Sequence, residues 1–406
     1  VPATHFPEFE HMRDQSDLEM SWTLITDDDG VRHAADLLAA GDGPVGVDAE
    51  RASGFRYGSE AYLVQAYRRG TDALLFDPTG ITDFSPLAEA LQEEEWILHA
   101  ASQDIPCLDD LGLRPERLFD TELAARLLGF ERVGLASIVE QLLGVRLEKA
   151  HSAADWSKRP LPDPWLEYAA LDVTLLPDLR DAIHGELVAQ SKTEIARQEF
   201  EAVRDRLPKP QSPEPWRRLS GGHKIKSPRQ LAMARELWLA RDELARAQDV
   251  APGRLIPDAS IVAAVAANPR SRDDLARLQA FRGRASRTEL RRWWSAILRG
   301  KTTEDLPGPQ RREPGSIPHH RSWAQRHPEA AARLAAARAG VEQEAERQGM
   351  PVENLLTPDY LRRLAWEPPQ PATSETLALR LKDLGARDWQ ITLTAPILQA
   401  AFVDPT

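Results

Sequence analysis

Short apolar runs alternate with stretches of helical period in the first half of the chain, and beyond residue 215 only the helical period continues. In Pro44-Val45-Gly46-Val47-Asp48-Ala49-Glu50 the apolar Val45, Val47 and Ala49 alternate with Gly46, Asp48 and Glu50. That spacing predicts a strand with an apolar face and a second face ending in two carboxylates. Trp96-Ile97-Leu98-His99-Ala100 reads as a further, buried strand. Asp104 opens a helix carrying Ile105, Leu108 and Leu111, and Asp120 caps one carrying Leu123, Leu127 and Leu128. In the helical stretch from Trp165 to Val173, Tyr168 and Asp172 are four apart and stack on one face. Proline-rich breaks at 208–215 and 305–320 divide the helical remainder of the chain.

The two acids at the strand end are the candidate chemistry. Like charges this close repel unless something neutralises them, and a divalent cation does so. For an isolated Asp-x-Glu a solvated strand end with two hydrated acids is the stronger reading, so the weight falls on Asp104 and Asp172. His99, five residues before Asp104, is read as a satisfied core histidine. Asp120 is left outside the site as a cap. Arg159 is open to two readings, a phosphate clamp or a structural ion pair.

In this order and with these flanks, the acidic motifs resemble the DEDDy branch of the 3'-5' exonucleases, and most closely the ribonuclease D family. Leu63-Val64-Gln65-Ala66 and Ala73 to Pro78 are similar to that family's second and third strands, and Asp155-Trp156-Ser157-Lys158-Arg159-Pro160-Leu161 to its Asp-Trp-x-x-Arg-Pro-Leu segment. The resemblance covers residues 22–207. It implies an α/β, ribonuclease H-like mixed-sheet domain in which Asp48, Glu50, Asp104 and Asp172 hold two Mg2+ or Mn2+ ions. Hard cations suit that oxygen inventory, and two ions about 4 Å apart serve an in-line phosphoryl displacement. Tyr168 is expected to orient the attacking water, since a phenol with a pKa near 10 is a poor base, and Glu50 to serve as ligand and as partner for that water. Ala49 stands where relatives often carry Thr; it should point away from the acids.

The 406 residues suit two to four domains, and the single Cys107 excludes an intramolecular disulfide or a zinc cluster. No run has the length of a membrane span, and Val1 to Glu10 lacks signal-peptide character, so a cytoplasmic enzyme is expected. The net charge of -12 is unevenly spread: residues 1–208 carry -21, residues 209–313 carry +10 and residues 314–406 carry -1. Phosphate attraction is therefore expected from the middle segment, with Arg282, Arg284, Arg287, Arg291 and Arg292 as candidates. Trp293 and Trp294 sit beside those arginines; adjacent helix residues cannot both face inward, so one should be core and the other partly exposed.

The middle segment also repeats. Ala247 to Asp258 has a counterpart about one hundred residues later, Arg347 to Asp359. The pattern resembles the HRDC domain, implying two small all-α copies. The organisation expected is a 3'-5' exonuclease domain over 1–207, a linker over 208–215, a basic HRDC-like domain over 216–304, a linker over 305–320 and a divergent copy over 321–406. The last, without a basic surface, should pack against the other domains. Gly300-Lys301-Thr302 lacks the preceding glycine and strand of a phosphate-binding loop, so ATP use is not expected. The resemblance implies trimming of RNA 3' ends such as tRNA precursors, by a chain expected to act as a monomer. A 3'-5' DNA exonuclease and a catalytically silent RNA-binding scaffold are the alternatives.

Overall fold

The fold is described from a computed structural model, over residues 12–403 except 19, 149–152, 208–211 and 309–314. The start of the first expected linker, part of the second and the amino-terminal decapeptide lie outside the described residues. The strands are β1 (Arg13–Asp14), β2 (Trp22–Ile25), β3 (Asp42–Arg51), β4 (Ala61–Arg69), β5 (Ala73–Phe76), β6 (Glu95–Leu98), β7 (Arg117–Asp120) and β8 (Val145–Arg146). Six form a mixed sheet in the order β2-β5-β4-β3-β6-β7, with β4 antiparallel to both β3 and β5 and the remaining pairs parallel. β1 and β8 make a separate parallel ladder. The ribonuclease H-like mixed sheet expected from the sequence is present.

The alternation in β3 produces the expected faces. Val45, Val47 and Ala49 are buried on one side, while Asp48 stands opposite Gln65 of β4 and Glu50 opposite Leu63. Around the sheet lie α1 (Asp28–Ala40), α2 (Ser85–Leu91), α3 (Ile105–Asp109), α4 (Thr121–Leu127), α5 (Leu135–Leu143), α6 (Asp163–Thr174), α7 (Leu176–Ala189) and α8 (Thr193–Arg204). The junction of α6 and α7 meets β3 at Gly46. A Cβ there would sit 2.7 Å from the Val173 carbonyl oxygen and 3.1 Å from Leu176 Cβ, closer than packed atoms come, so glycine permits the approach.

The helical remainder comprises α9 (Pro228–Gln248), α10 (Pro252–Leu255), α11 (Asp258–Ala267), α12 (Arg272–Arg277), α13 (Arg284–Thr288), α14 (Leu290–Thr302), α15 (Trp323–Arg326), α16 (Pro328–Gln348), α17 (Val352–Leu355), α18 (Pro358–Trp366), α19 (Ser374–Asp383) and α20 (Asp388–Val403). The repeat is literal: α9 and α16 both have 21 residues, both end in a left-handed residue, Asp249 or Gly349, and both lead into a four-residue helix. Ser227 starts α9 with a capping box to Gln230.

The two helical regions attach differently. Leu219, Leu237, Ile261, Leu275, Phe281 and Trp293 form a core belonging to the middle region. Leu355, Leu364, Leu381 and Leu398 of the last region instead join the core that contains the sheet. Glu199 of α8 fastens that junction, accepting from Arg387 Nε at 2.5 Å, Arg387 Nη2 at 2.6 Å and Trp389 Nε1 at 2.9 Å. The last region packs on the first, as its lack of basic surface implied. The middle region touches the loop after β3: Ala251 N donates to the Phe55 carbonyl at 2.9 Å, Tyr57 OH to Asp242 at 3.0 Å and Arg56 Nη1 to Asp249 at 3.1 Å.

Gly300 likewise serves a helix crossing, since a Cβ on it would lie 2.5 Å from Met233 Cα. Lys301 donates to the Pro269 carbonyl, so Gly300-Lys301-Thr302 is a packing element of α14. No helix among the described residues is long and apolar enough to cross a membrane.

The Gly46 contact is testable. Gly46→Ala forces a methyl against a backbone carbonyl and should cost about 1–3 kcal/mol in a denaturation experiment; wild-type stability would show that α6 does not sit this close to β3.

Candidate metal centre

Three elements deliver the acids. β3 carries Asp48 and Glu50 on the face beneath α6, and α6 carries Tyr168 and, one turn on, Asp172. Carboxylate oxygens of Asp48, Glu50 and Asp172 all lie within 4.8 Å of one another, the spacing of ligands around one cation. Asp104 lines the same cleft, of about 510 Å³, together with Tyr168, Arg51, His99 and Gln103. Asp104 stands at the start of α3, after a turn in which Ala100 takes a left-handed φ of 62°. Asp120 holds that turn, its carboxylate accepting from Ala100 N at 3.1 Å, Ala101 N at 3.0 Å and Leu123 N at 3.1 Å. It caps α4 as expected and also fixes the loop that presents Asp104, a role its sequence context does not disclose.

The electrostatics are those of a cation site. Burial pushes Asp48 up to about 6 and, with the Asp48 charge, Asp104 up to about 8. Glu50 is raised by burial, then by Asp48, Asp172 and Asp104; Asp172 is raised by burial and by Asp48, against a hydrogen bond from Tyr168. Tyr168 itself is pushed above the ordinary phenol value by burial and by Asp172 and Glu50. Buried acids crowded together hold protons or bind metal. A tight all-oxygen donor set fits Mg2+ or Mn2+ and offers nothing to a soft metal.

Arg51 was missed by sequence reading. Strict alternation turns it away from Glu50, but the β3–β4 register shifts between Glu50 and Arg51, and such an irregularity re-aims a side chain. Its Nη2 lies 3.2 Å from Asp104 Oδ1, and it lowers the proton affinity of Asp48, Glu50 and Asp104.

Arg159 requires a correction. Its guanidinium donates to Asp77 at 2.5 and 2.6 Å, to the Tyr62 carbonyl at 2.7 Å, and to the Trp156 and Lys158 carbonyls at 2.7 Å. All five N–H groups are used, so it braces the end of β5 and is not a phosphate clamp. Trp156 beside it is buried against Trp165, with ring centroids 5.3 Å apart. His99 is satisfied as read, its Nδ1 2.9 Å from Thr121 Oγ1, but it is half-buried and lines the cleft instead of sitting in the core; burial pushes it down to about 4.

In the middle region Arg282, Arg284, Arg287 and Arg291 are exposed. Arg292 differs, half-buried and paired with Glu289 at 3.3 Å and Glu243 at 3.6 Å, so it is the weakest of the five phosphate candidates. Trp293 is fully buried and Trp294 half-buried, the division that adjacent helix positions demand.

Comparison with known proteins supplies the class. Residues 22–188 match the 3'-5' exonuclease family, residues 230–297 the HRDC domain and residues 316–402 the 3' to 5' exonuclease C-terminal domain; the sheet and its acidic cleft thus form a domain of the 3'-5' exonuclease class. The last region thus matches a family distinct from the HRDC domain, although its helices repeat those of the HRDC region. A ribonuclease D of a Shewanella species is 33% identical over 258 residues, 62% of this chain and 65% of that protein, just under two thirds of its length. A ribonuclease D of a Jannaschia species is 31% identical over 266 residues, 63% of this chain and 68% of that one. A crystal structure of a protein from Bifidobacterium adolescentis, 35% identical, covers 97% of this chain and 100% of its own, with a TM-score of 0.87. The chain belongs to the ribonuclease D family.

The raised carboxyl pKa values carry a sign. A group that binds its proton more tightly when folded contributes stability in full below its unfolded value near 4, and loses it as pH rises through the folded value. For Asp48 and Asp104 those values are about 6 and about 8. The metal-free protein should therefore lose this contribution progressively from about pH 4, Asp48's share by pH 6 and Asp104's by pH 8, and the rise in melting temperature on adding Mg2+ should be larger at pH 8 than at pH 6. A Mg2+ effect independent of pH would contradict the site.

Proposed function

We propose that this chain is a divalent-metal-dependent 3'-5' exoribonuclease that trims RNA 3' ends, tRNA precursors among them, and leaves nucleoside 5'-monophosphates. The observation that carries the reading is the convergence of Asp48, Glu50 and Asp172 carboxylates within 4.8 Å on one face of β3. Family membership supports RNA as the substrate.

Asp48, Glu50 and Asp172 would hold a first ion, and Asp48 with Asp104 a second. When bound, such ions supply Lewis acidity at the attacking and leaving oxygens of an in-line displacement. Tyr168 stays a protonated phenol, because burial and the neighbouring acids raise its pKa; with its hydroxyl committed to Asp172, it orients the attacking water and does not deprotonate it. Glu50, whose proton affinity is also raised, is the acid suited to share that water's proton. Arg51, the cation beside Asp104, is placed to meet the phosphate being cut.

The division of labour follows the charge. Residues 1–207 carry the chemistry and a strongly negative charge that favours metal loading. Residues 216–304 carry the net positive charge, with Arg282, Arg284, Arg287 and Arg291 exposed, and capture the phosphate backbone. Residues 321–406 brace the catalytic region through their shared core.

The test uses purified protein with 3'-labelled and 5'-labelled single-stranded RNA and DNA, in Mg2+, Mn2+ or EDTA, beside Asp48→Asn and Tyr168→Phe. Stepwise shortening of RNA from the 3' end, abolished by EDTA and by Asp48→Asn, is expected, with Tyr168→Phe slowed but folded. Neutralising the five arginines together should weaken RNA binding and flatten its dependence on salt. Binding without shortening in every metal would replace the enzyme with a scaffold, and shortening of DNA alone would move the substrate.

A further inference from the structure

Gln65 is wholly buried in the middle of β4, and neither its Nε2 nor its Oε1 has a hydrogen-bond partner among the described residues. Buried amides without partners are destabilising and uncommon. Gln65 stands directly across the antiparallel β3–β4 ladder from Asp48, and directly opposed residues project from the same face with Cβ atoms about 4.5–5.5 Å apart. The orphaned amide therefore lies on the acid face, under α6.

The four acids differ in how they are held. Asp172 accepts from Tyr168 and Asp104 faces Arg51 at 3.2 Å. Glu50 stands opposite Leu63, which can donate nothing. Asp48 has the backbone amide of its own neighbour, Ala49, as a hydrogen-bond donor. A carboxylate short of a side-chain donor thus faces a carboxamide short of an acceptor, one strand away and within the reach of the two side chains.

We propose that Gln65 is a positioning residue for Asp48: its carboxamide N–H donates to the Asp48 carboxylate and fixes the orientation in which Asp48 takes a divalent cation. Carboxylates that hold metal ions are themselves held by hydrogen bonds, and removing such a support lowers metal affinity about 10- to 100-fold. The amide is then retained at a cost in stability whenever Asp48 is turned away from it. The inference rests on Asp48 being a metal ligand, as proposed above.

Gln65→Met tests it, since methionine matches the length and volume of glutamine and lacks the donor. Mn2+ alone is titrated calorimetrically into full-length wild type, Gln65→Met, Asp48→Asn and Leu63→Met, the last a same-face packing control. Melting temperatures are recorded in EDTA. Gln65→Met should melt at or about 2 °C above wild type without metal, because the orphaned amide is gone. It should bind Mn2+ about 10- to 100-fold more weakly, while Leu63→Met binds as wild type does. Wild-type Mn2+ affinity in Gln65→Met, or a clear fall in its metal-free melting temperature, would overturn the assignment and leave Gln65 a packing residue. If wild type bound Mn2+ no better than Asp48→Asn, the metal-site reading itself would fail and take this inference with it.

Discussion

The site depends on how closely a helix can approach a strand. Asp172 meets Asp48 and Glu50 because the turn between α6 and α7 presses its backbone onto β3 at Gly46, where a Cβ would collide with the Val173 carbonyl. A bulkier residue at that position would lift α6 off the sheet and carry Asp172 and Tyr168 away with it. The helical spacing of Tyr168 and Asp172 then places the phenol one turn from the acid it hydrogen-bonds. Geometry set by packing, at a position without side chain, thereby makes the chemistry available.

Bringing four carboxyls together in a half-buried cleft has an electrostatic cost that the surroundings only partly offset. Arg51 supplies a nearby positive charge, Tyr168 one hydrogen bond, and the raised proton affinities of Asp48, Glu50, Asp104 and Asp172 express what is left over. Rigidity comes from elsewhere. The Asp120 carboxylate fixes the Asp104 turn, Arg159 ties the end of β5 to the segment before α6, and Glu199 binds the last helical region to α8. The middle region has its own core and meets the catalytic one at the loop that directly extends β3. Its contact surface on residues 55–57 thus follows directly in sequence from the strand bearing Asp48 and Glu50.

Much of this was legible in the sequence because it rests on local periodicity. Period-two alternation located the acid face of β3, and period-four spacing paired Tyr168 with Asp172. The near-copy of the Ala247 to Asp258 stretch revealed the helical repeat. What escaped depends on register and on three-dimensional partners. Arg51 faces the cleft through a ladder irregularity that alternation cannot foresee. Gln65 was visible as part of a strand, but nothing local says that it stands across from Asp48. Arg159 was open to two readings, and the orientation of its guanidinium fork decides between them. The Asp120 cap was readable, whereas its hold on the Asp104 turn needs the parallel pairing of β6 with β7.

The central claim is that these carboxylates form a divalent-cation site, and anomalous diffraction from a crystal soaked in Mn2+ addresses it most directly. A peak is expected within about 2.2 Å of carboxylate oxygens of Asp48, Glu50 and Asp172, and at sufficient Mn2+ a second about 4 Å away, beside Asp48 and Asp104. Anomalous signal elsewhere on the protein, with none between β3 and α6, would contradict it.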